Sequence, residues 1–164
     1  VYTQWLNERG GIEADVTVTR LAETSFLIVT IAASQVRDMG WLRRHLPADG
    51  HVFVRDVTPA LPMLALMGPR SRALLQSLSP DDLSDAGRPF GATREIELGY
   101  ARVRVTRVTY VGELGYEILI PGEFAQHVFD VLVEAGAPFG LAQGGYFAIN
   151  SLRMEKGYRH WGHD

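Results

Sequence analysis

The chain has 164 residues, of which 46% are hydrophobic and 21% charged, with a formal net charge of −3. Those proportions describe an ordinary globular chain with room for one domain or two small ones, and the mixed charge, with no basic stripe, argues against nucleic acid as a partner. The chain has no cysteine, which excludes structural disulfides, thiolate zinc sites and cysteine nucleophiles, and no apolar run approaches the ~20 residues a membrane span needs.

In chain order, Val1 to Leu6 reads as a strand, Asn7-Glu-Arg-Gly-Gly11 as a turn, and Ile12 to Leu21 as the returning strand of a hairpin. Ser25 to Ile31 is almost continuously apolar, which predicts a central strand. Ser34 is placed to cap a helix running to about Leu46, with Val36, Met39, Leu42 and Leu46 on one face and Pro47 as its stop. Val52 to Val57 and Pro62 to Met67 read as strands. Gly68-Pro69 opens a second helix with Ala73, Leu74, Leu75 and Leu78 inward. Two alternations of paired strands and a helix suggest a split β-α-β unit of ferredoxin-like type. Ser79 to Pro89, rich in Asp, Ser, Gly and Pro, reads as a connector between two halves. Beyond it, Thr93 to Leu98 and Arg102 to Thr109 read as strands broken at Gly99. A helix from about Glu123 to Ala135 carries Phe124, Val128, Phe129, Leu132 and Val133 as its apolar stripe, and Tyr146 to Lys156 is a last helix.

The richest stretch is Arg107-Val-Thr-Tyr-Val-Gly-Glu-Leu-Gly-Tyr-Glu-Ile-Leu-Ile-Pro121, read as strand, tight turn, strand. Gly112 and Gly115 bracket the reversal. Period-two alternation places Glu117 and Leu119 on one face and Tyr116 and Ile118 on the other. A carboxylate within an apolar strand is costly to bury unless something donates to it. Glu117 therefore has two readings. One is a cross-strand ion pair with Arg102, Arg104 or Arg107, which pattern alone favours. The other is a carboxylate gripping a ring N–H beside an amino group, with Tyr110 alongside as a stacking surface and donor. Asp15, in the middle of a β-branched strand, divides in the same way between an edge position in solvent and a carboxylate beside a ligand. Arg153 and Lys156 share a face of the last helix, and a solvated charged face is the default for such a pair. His160 and His163 have an H-x-x-H spacing but no third ligand in view, so no metal site is expected. No Walker loop and no G-x-G-x-x-G after a strand is present, so nucleotide or flavin binding by this segment is not expected.

Four blocks in order resemble the aminomethyltransferase family, the glycine cleavage T-protein and its relatives: Gly10-Gly-Ile-Glu-Ala-Asp15, Leu66-Met-Gly-Pro69, Tyr110-Val-Gly-Glu-Leu-Gly-Tyr-Glu117, and Ser151-Leu-Arg-Met-Glu-Lys-Gly-Tyr-Arg-His-Trp-Gly162. The last, with Glu155-Lys156 and Trp161-Gly162, is most similar to the folate domain of dimethylglycine and sarcosine dehydrogenases. The resemblance implies an α+β fragment of a T-protein-like folate-binding fold. Residues 1–86 would be its ferredoxin-like second domain, and 87–164 the later half of its first, α/β domain, carrying the pterin-binding hairpin. It implies tetrahydrofolate as cofactor, Asp15 as the catalytic residue, and Tyr110, Glu117 and Tyr158 as cofactor-binding residues. Ile149 stands where T-proteins carry an arginine thought to help hold the folate tail. The implied function is one-carbon transfer from an N-methylated glycine, a small-molecule substrate, to tetrahydrofolate, with FAD confined to a separate flavin dehydrogenase domain of a longer parent. The alternatives are a true T-protein aminomethyltransferase and a non-catalytic folate-binding module of the same fold. A cytoplasmic protein is expected, or a mitochondrial matrix protein if eukaryotic, and the isolated fragment is expected to self-associate.

Overall fold

A computed structural model describes all of residues 1–164. It is a mixed α+β chain with two antiparallel sheets, and its contacts divide it into two compact units: 1–57 with 161–163, and 58–160 with Asp164.

In the first unit, β1 (Tyr2–Leu6), β2 (Ile12–Ala22) and β3 (Ser25–Val29) form a sheet in the order β1-β2-β3. The β1–β2 turn is closed by Asn7, whose Oδ1 accepts from the amides of Arg9 (3.0 Å) and Gly11 (2.9 Å). Asparagine side chains suit such turns because they replace a backbone acceptor. The central strand is β2, so Asp15 does not lie on an edge, and the apolar β3 is an edge strand with Phe26 exposed. A continuous apolar run shows that both faces favour burial, but not which strand has two neighbours. Helix α1 (Gln35–Arg44) begins after Ser34 as expected, but the Ser34 side chain makes no capping hydrogen bond and the helix stops at Arg44, short of Leu46. Its buried residue is Asp38, which accepts from the Thr30 hydroxyl, whereas Val36 is 87% exposed. No strand forms over residues 52–57, and Phe53 is exposed there. β-Propensity without a pairing partner does not make a strand.

In the second unit, β4 (Met63–Met67), β5 (Thr93–Leu98), β6 (Ala101–Thr106) and β7 (Gly115–Leu119) form a sheet in the order β4-β7-β6-β5. The chain crosses from β4 through α2 (Ser71–Leu78) to the far edge, then returns strand by strand until β7 pairs with β4. β4 thus belongs to the later hairpin and not to a ladder with β1–β3. Leu66, Ile96, Leu98, Val103, Val105, Tyr116 and Ile118 share a core with Leu74 and Leu75 of α2 and with Val128 and Leu132 of α3 (Ala125–Gly136). Fully burying a side chain of this kind contributes about 1.5–3 kcal/mol. On α3 the stripe is narrower than expected, since Val133 is exposed.

The segment read as a connector is packed into this unit. Leu83 is fully buried, and Gln76 holds the loop by accepting from the Leu83 amide (3.0 Å) and donating to the carbonyls of Ser79 (3.0 Å) and Asp81 (2.8 Å). Compactness therefore divides the chain after Val57, well before that segment. The last helix, α4 (Tyr146–Lys156), has the expected bounds.

The reversal between β6 and β7 spans residues 107–114 and is longer than a tight turn. Gly112 has φ +77°, as its place in a turn predicts, but Gly115 does not have a positive φ. Its role is close approach: a Cβ there would lie 2.6 Å from the Val108 carbonyl oxygen. Gly115→Val is expected to destabilise the full-length protein by about 1–3 kcal/mol through this backbone clash. Gly144→Ala, where the nearest atom would be 3.8 Å away, should leave the melting temperature nearly unchanged, and the two are compared by calorimetry.

Candidate functional site

The site in the second unit is built on the face of the β4-β7-β6 ladder opposite the core. Tyr116 and Ile118 point into the core, so Gly115, Glu117 and Leu119 take the other face. In register, Glu117 lies between Ala65 of β4 and Thr106 of β6. Ala65 has no donor to offer. The Thr106 hydroxyl is directed to Thr93 Oγ1 at 3.0 Å.

The cross-strand arginines are engaged elsewhere. Arg104 pairs with Glu95 at 2.6 Å, Arg102 approaches the same carboxylate at 3.7 Å, and Arg107 pairs with Asp85 at 2.7 Å. The ion-pair reading of Glu117 is thereby overturned. The carboxylate is half-buried, and burial alone pushes its pKa above the ordinary value of 4.5. An ionised carboxylate in this position has given up hydration and received no protein donor in return.

Beside this strand lies a cavity of about 380 Å³ whose lining includes Arg107, Thr109, Gly112, Gly115, Lys156 and Tyr158. The 107–114 loop forms one wall. It is pinned at Tyr110, whose amide reaches Met67 Sδ at 3.5 Å, and the Tyr110 ring meets His160 edge-on with centroids 6.2 Å apart. The lysine stem crosses Gly112 so closely that a Cβ there would lie 2.3 Å from Lys156 Cγ.

Tyr158 is carried to the cavity by the end of α4. Gly157 is left-handed (φ 78°), and the Tyr158 amide donates to the Arg153 carbonyl at 2.9 Å, the pattern of a Schellman cap. Arg153 is not part of a solvated face, being only 3% exposed. Its guanidinium donates to Asn150 Oδ1 (2.9 and 2.6 Å), the Tyr158 carbonyl (2.9 Å) and Asp164 Oδ1 (2.8 Å). The arginine hydrogen bond, followed by one from the His160 amide, holds the Asp164 carboxyl well below the usual carboxylate range. Arg153 therefore positions the segment bearing Tyr158, a role that the i, i+3 spacing with Lys156 did not reveal.

Asp15 belongs to the first unit. It faces β1, where Tyr2 Oη donates to one carboxylate oxygen at 2.6 Å and Gln4 Nε2 to the other at 3.0 Å. Gln4 is its register partner and Tyr2 lies two residues along the same strand face, so the hairpin pattern already carried this pair of donors. A carboxylate has about four acceptor positions, and two of these are occupied here. Tyr110, Glu117 and Tyr158 all lie in the second unit.

Of the cofactor-binding residues expected from the sequence, Tyr158 lines the cavity, whereas Glu117 and Tyr110 do not; Gly115, on the same strand face as Glu117, does. An unpartnered, desolvated carboxylate on that strand face suits a planar heterocycle presenting an N–H edge. Because its folded-state pKa is raised, Glu117 favours folding most below the unfolded value of 4.5, and this contribution is lost as pH rises through the folded value. Glu117→Gln is thus expected to raise the melting temperature of the ligand-free protein at pH 7. The gain should shrink toward zero as pH falls to about 4.5, which thermal melts across that range would show.

The GCVT N-terminal domain family matches residues 1–164. The chain is 44% identical over 164 residues to 4-methylaminobutanoate oxidase (formaldehyde-forming) of Paenarthrobacter nicotinovorans, covering 100% of this chain and 20% of that protein. It is 37% identical over 165 residues to the mitochondrial pyruvate dehydrogenase phosphatase regulatory subunit of Mus musculus, with 100% and 19% covered. To mitochondrial dimethylglycine dehydrogenase of Homo sapiens it is 32% identical over 158 residues, with 96% and 18% covered. Sarcosine dehydrogenase and an aminomethyltransferase are also among the relatives. Among solved structures, the heterotetrameric sarcosine oxidase from Corynebacterium sp. U-96 superposes with a TM-score of 0.61 at 23% identity, over 79% of this chain and 64% of that one. The chain spans about a fifth of the length of the first curated relatives it matches.

Proposed function

This chain belongs to the GCVT N-terminal domain family, and on that premise we propose that it is the tetrahydrofolate-binding segment of a longer, dimethylglycine or sarcosine dehydrogenase-like protein. The parent protein passes a one-carbon unit from an N-methylated glycine derivative to tetrahydrofolate, and the amine is oxidised in a separate flavin domain. The observation that carries this reading is the state of Glu117: desolvated, in register with Ala65 and Thr106, and without a donor.

When bound, tetrahydrofolate supplies the amine nitrogens that take up the one-carbon unit. Glu117 would accept from the N–H edge of the pterin, and each charge-assisted hydrogen bond of this kind contributes roughly 1.5–3 kcal/mol. Tyr158, which lines the cavity, would offer aromatic surface to the ring system, and Tyr110 would contribute from the loop that walls it. Asp15, held by Tyr2 and Gln4, offers its free acceptor positions to the cationic charge that develops during transfer. Its work is electrostatic, and its two fixed donors keep it from reorganising as charge appears.

A second reading draws on the relative named as a regulatory subunit: the same fold serving as a folate-binding module without catalysis. A third is a true aminomethyltransferase, and the substitution of Ile149 and the Glu155-Lys156 ending weigh against it. One-carbon product formed by the full-length parent separates the catalytic readings from the regulatory one.

Glu117→Ala in the parent is expected to abolish tetrahydrofolate binding by calorimetric titration. Asp15→Ala is expected to keep most of the binding while transfer falls and the one-carbon unit escapes as free formaldehyde. Unchanged affinity in Glu117→Ala would remove the pterin assignment. The isolated 164 residues expose Phe53 (90%), Tyr146 (85%) and Phe147 (94%), and we expect them to self-associate in light scattering, whereas the parent should not show this through the same groups.

A further inference from the structure

The second unit holds a second charged cluster, separate from Glu117. Asp85 accepts two hydrogen bonds from Arg72 (3.2 and 2.5 Å) and pairs with Arg107 at 2.7 Å. Arg72 also donates through Nε to the buried Tyr116 hydroxyl at 3.2 Å. The third guanidinium, Arg88, differs from these two. The residue is 4% exposed, makes no ion pair, and its Nε and Nη1 are out of solvent contact with no hydrogen-bond partner. Arg107 Nε is in the same condition.

An arginine does not escape burial by losing its proton, and a buried unpaired cation is among the least favourable arrangements a protein holds. The surroundings of Arg88 are firmly built. Its amide donates to the Ser84 carbonyl at 2.7 Å, and its own carbonyl accepts from Arg107 Nη1 at 2.7 Å. The Gly87 amide donates to Ser84 Oγ at 3.1 Å, and the missing Cβ of Gly87 leaves room for Asp82, whose carboxylate oxygen would lie 2.4 Å from it. Asp82 lies in Coulombic range of Arg88, but it accepts from the Ser84 amide at 2.9 Å and makes no ion pair with Arg88. Two arginines, Arg72 and Arg107, therefore share the Asp85 carboxylate, and the Arg88 guanidinium has no carboxylate of its own.

We propose that the Arg88 guanidinium, which does not line the cavity described above, is an oxyanion site, taking a carboxylate or phosphate group by paired N–H donors. Since Arg107, which opens the 107–114 loop, donates to the Arg88 carbonyl, an anion held by Arg88 also steadies the base of that loop. The ligand chemistry has two sources, a small free oxyanion or an acidic side chain from another part of the longer protein.

The test is a crystal structure of the full-length parent grown without sulfate or phosphate, then soaked in bromide and, separately, in inorganic phosphate. A free-anion source gives an anomalous bromide peak and a phosphate within hydrogen-bond reach of the Arg88 guanidinium, both lost in Arg88→Met. A protein source gives a carboxylate from a segment outside these 164 residues in the same place and no soaked ion. A guanidinium bonded only to water, or turned to pair with Asp82, in unsubstituted crystals would overturn the proposal whether or not the variant folds.

Discussion

The structure turns on one uncompensated desolvation. β7 is a strand with one face committed to the core, through Tyr116 and Ile118, and that commitment forces Glu117 onto the opposite face between two neighbours that do not donate to it. The strand cannot slip to relieve the carboxylate, because a one-residue shift would send Glu117 into the apolar core and bring Tyr116 out. Packing energy shared by the whole sheet therefore holds a carboxylate in a state that is poor for stability and good for recognition.

The rest of the second unit serves that strand. β4 closes the ladder on one side and β6 on the other; β6 is the preceding strand, whereas β4 comes from a distant part of the chain. Gly115 lets the Val108 carbonyl approach, which sets the path of the loop bearing Tyr110. At the far end of the chain, Arg153 gathers Asn150, the Tyr158 carbonyl and Asp164 around one guanidinium. A planar fork with five donors suits this task, and a lysine would not replace it. The arginine cluster about Asp85 ties α2, the 79–89 segment and the base of the same loop together.

Asp15 follows a different logic. Its two donors come from the adjacent strand of its own hairpin, so its orientation is a local matter. Glu117 is set apart by the donors it lacks and Asp15 by the donors it has.

Local patterns carried much of this into the sequence. The first hairpin, the bounds of α4, the two faces of β7 and the left-handed Gly112 were legible because each depends on residues within a few positions of one another. The blocks ending in Asp15 and Glu117 marked the candidate site residues for the same reason. What only the tertiary structure decided is pairing over long separations. Nothing local says that β4 joins β7, that β2 and not β3 is the central strand, that residues 52–57 find no partner, or that the polar 79–89 segment buries Leu83. Nor does it say that the arginines across from Glu117 are taken by Glu95 and Asp85. Side-chain alternation is set by the backbone of one strand, whereas the choice of neighbour is set by competition among all the strands and charges of the folded chain, and that competition exists only once the chain has folded.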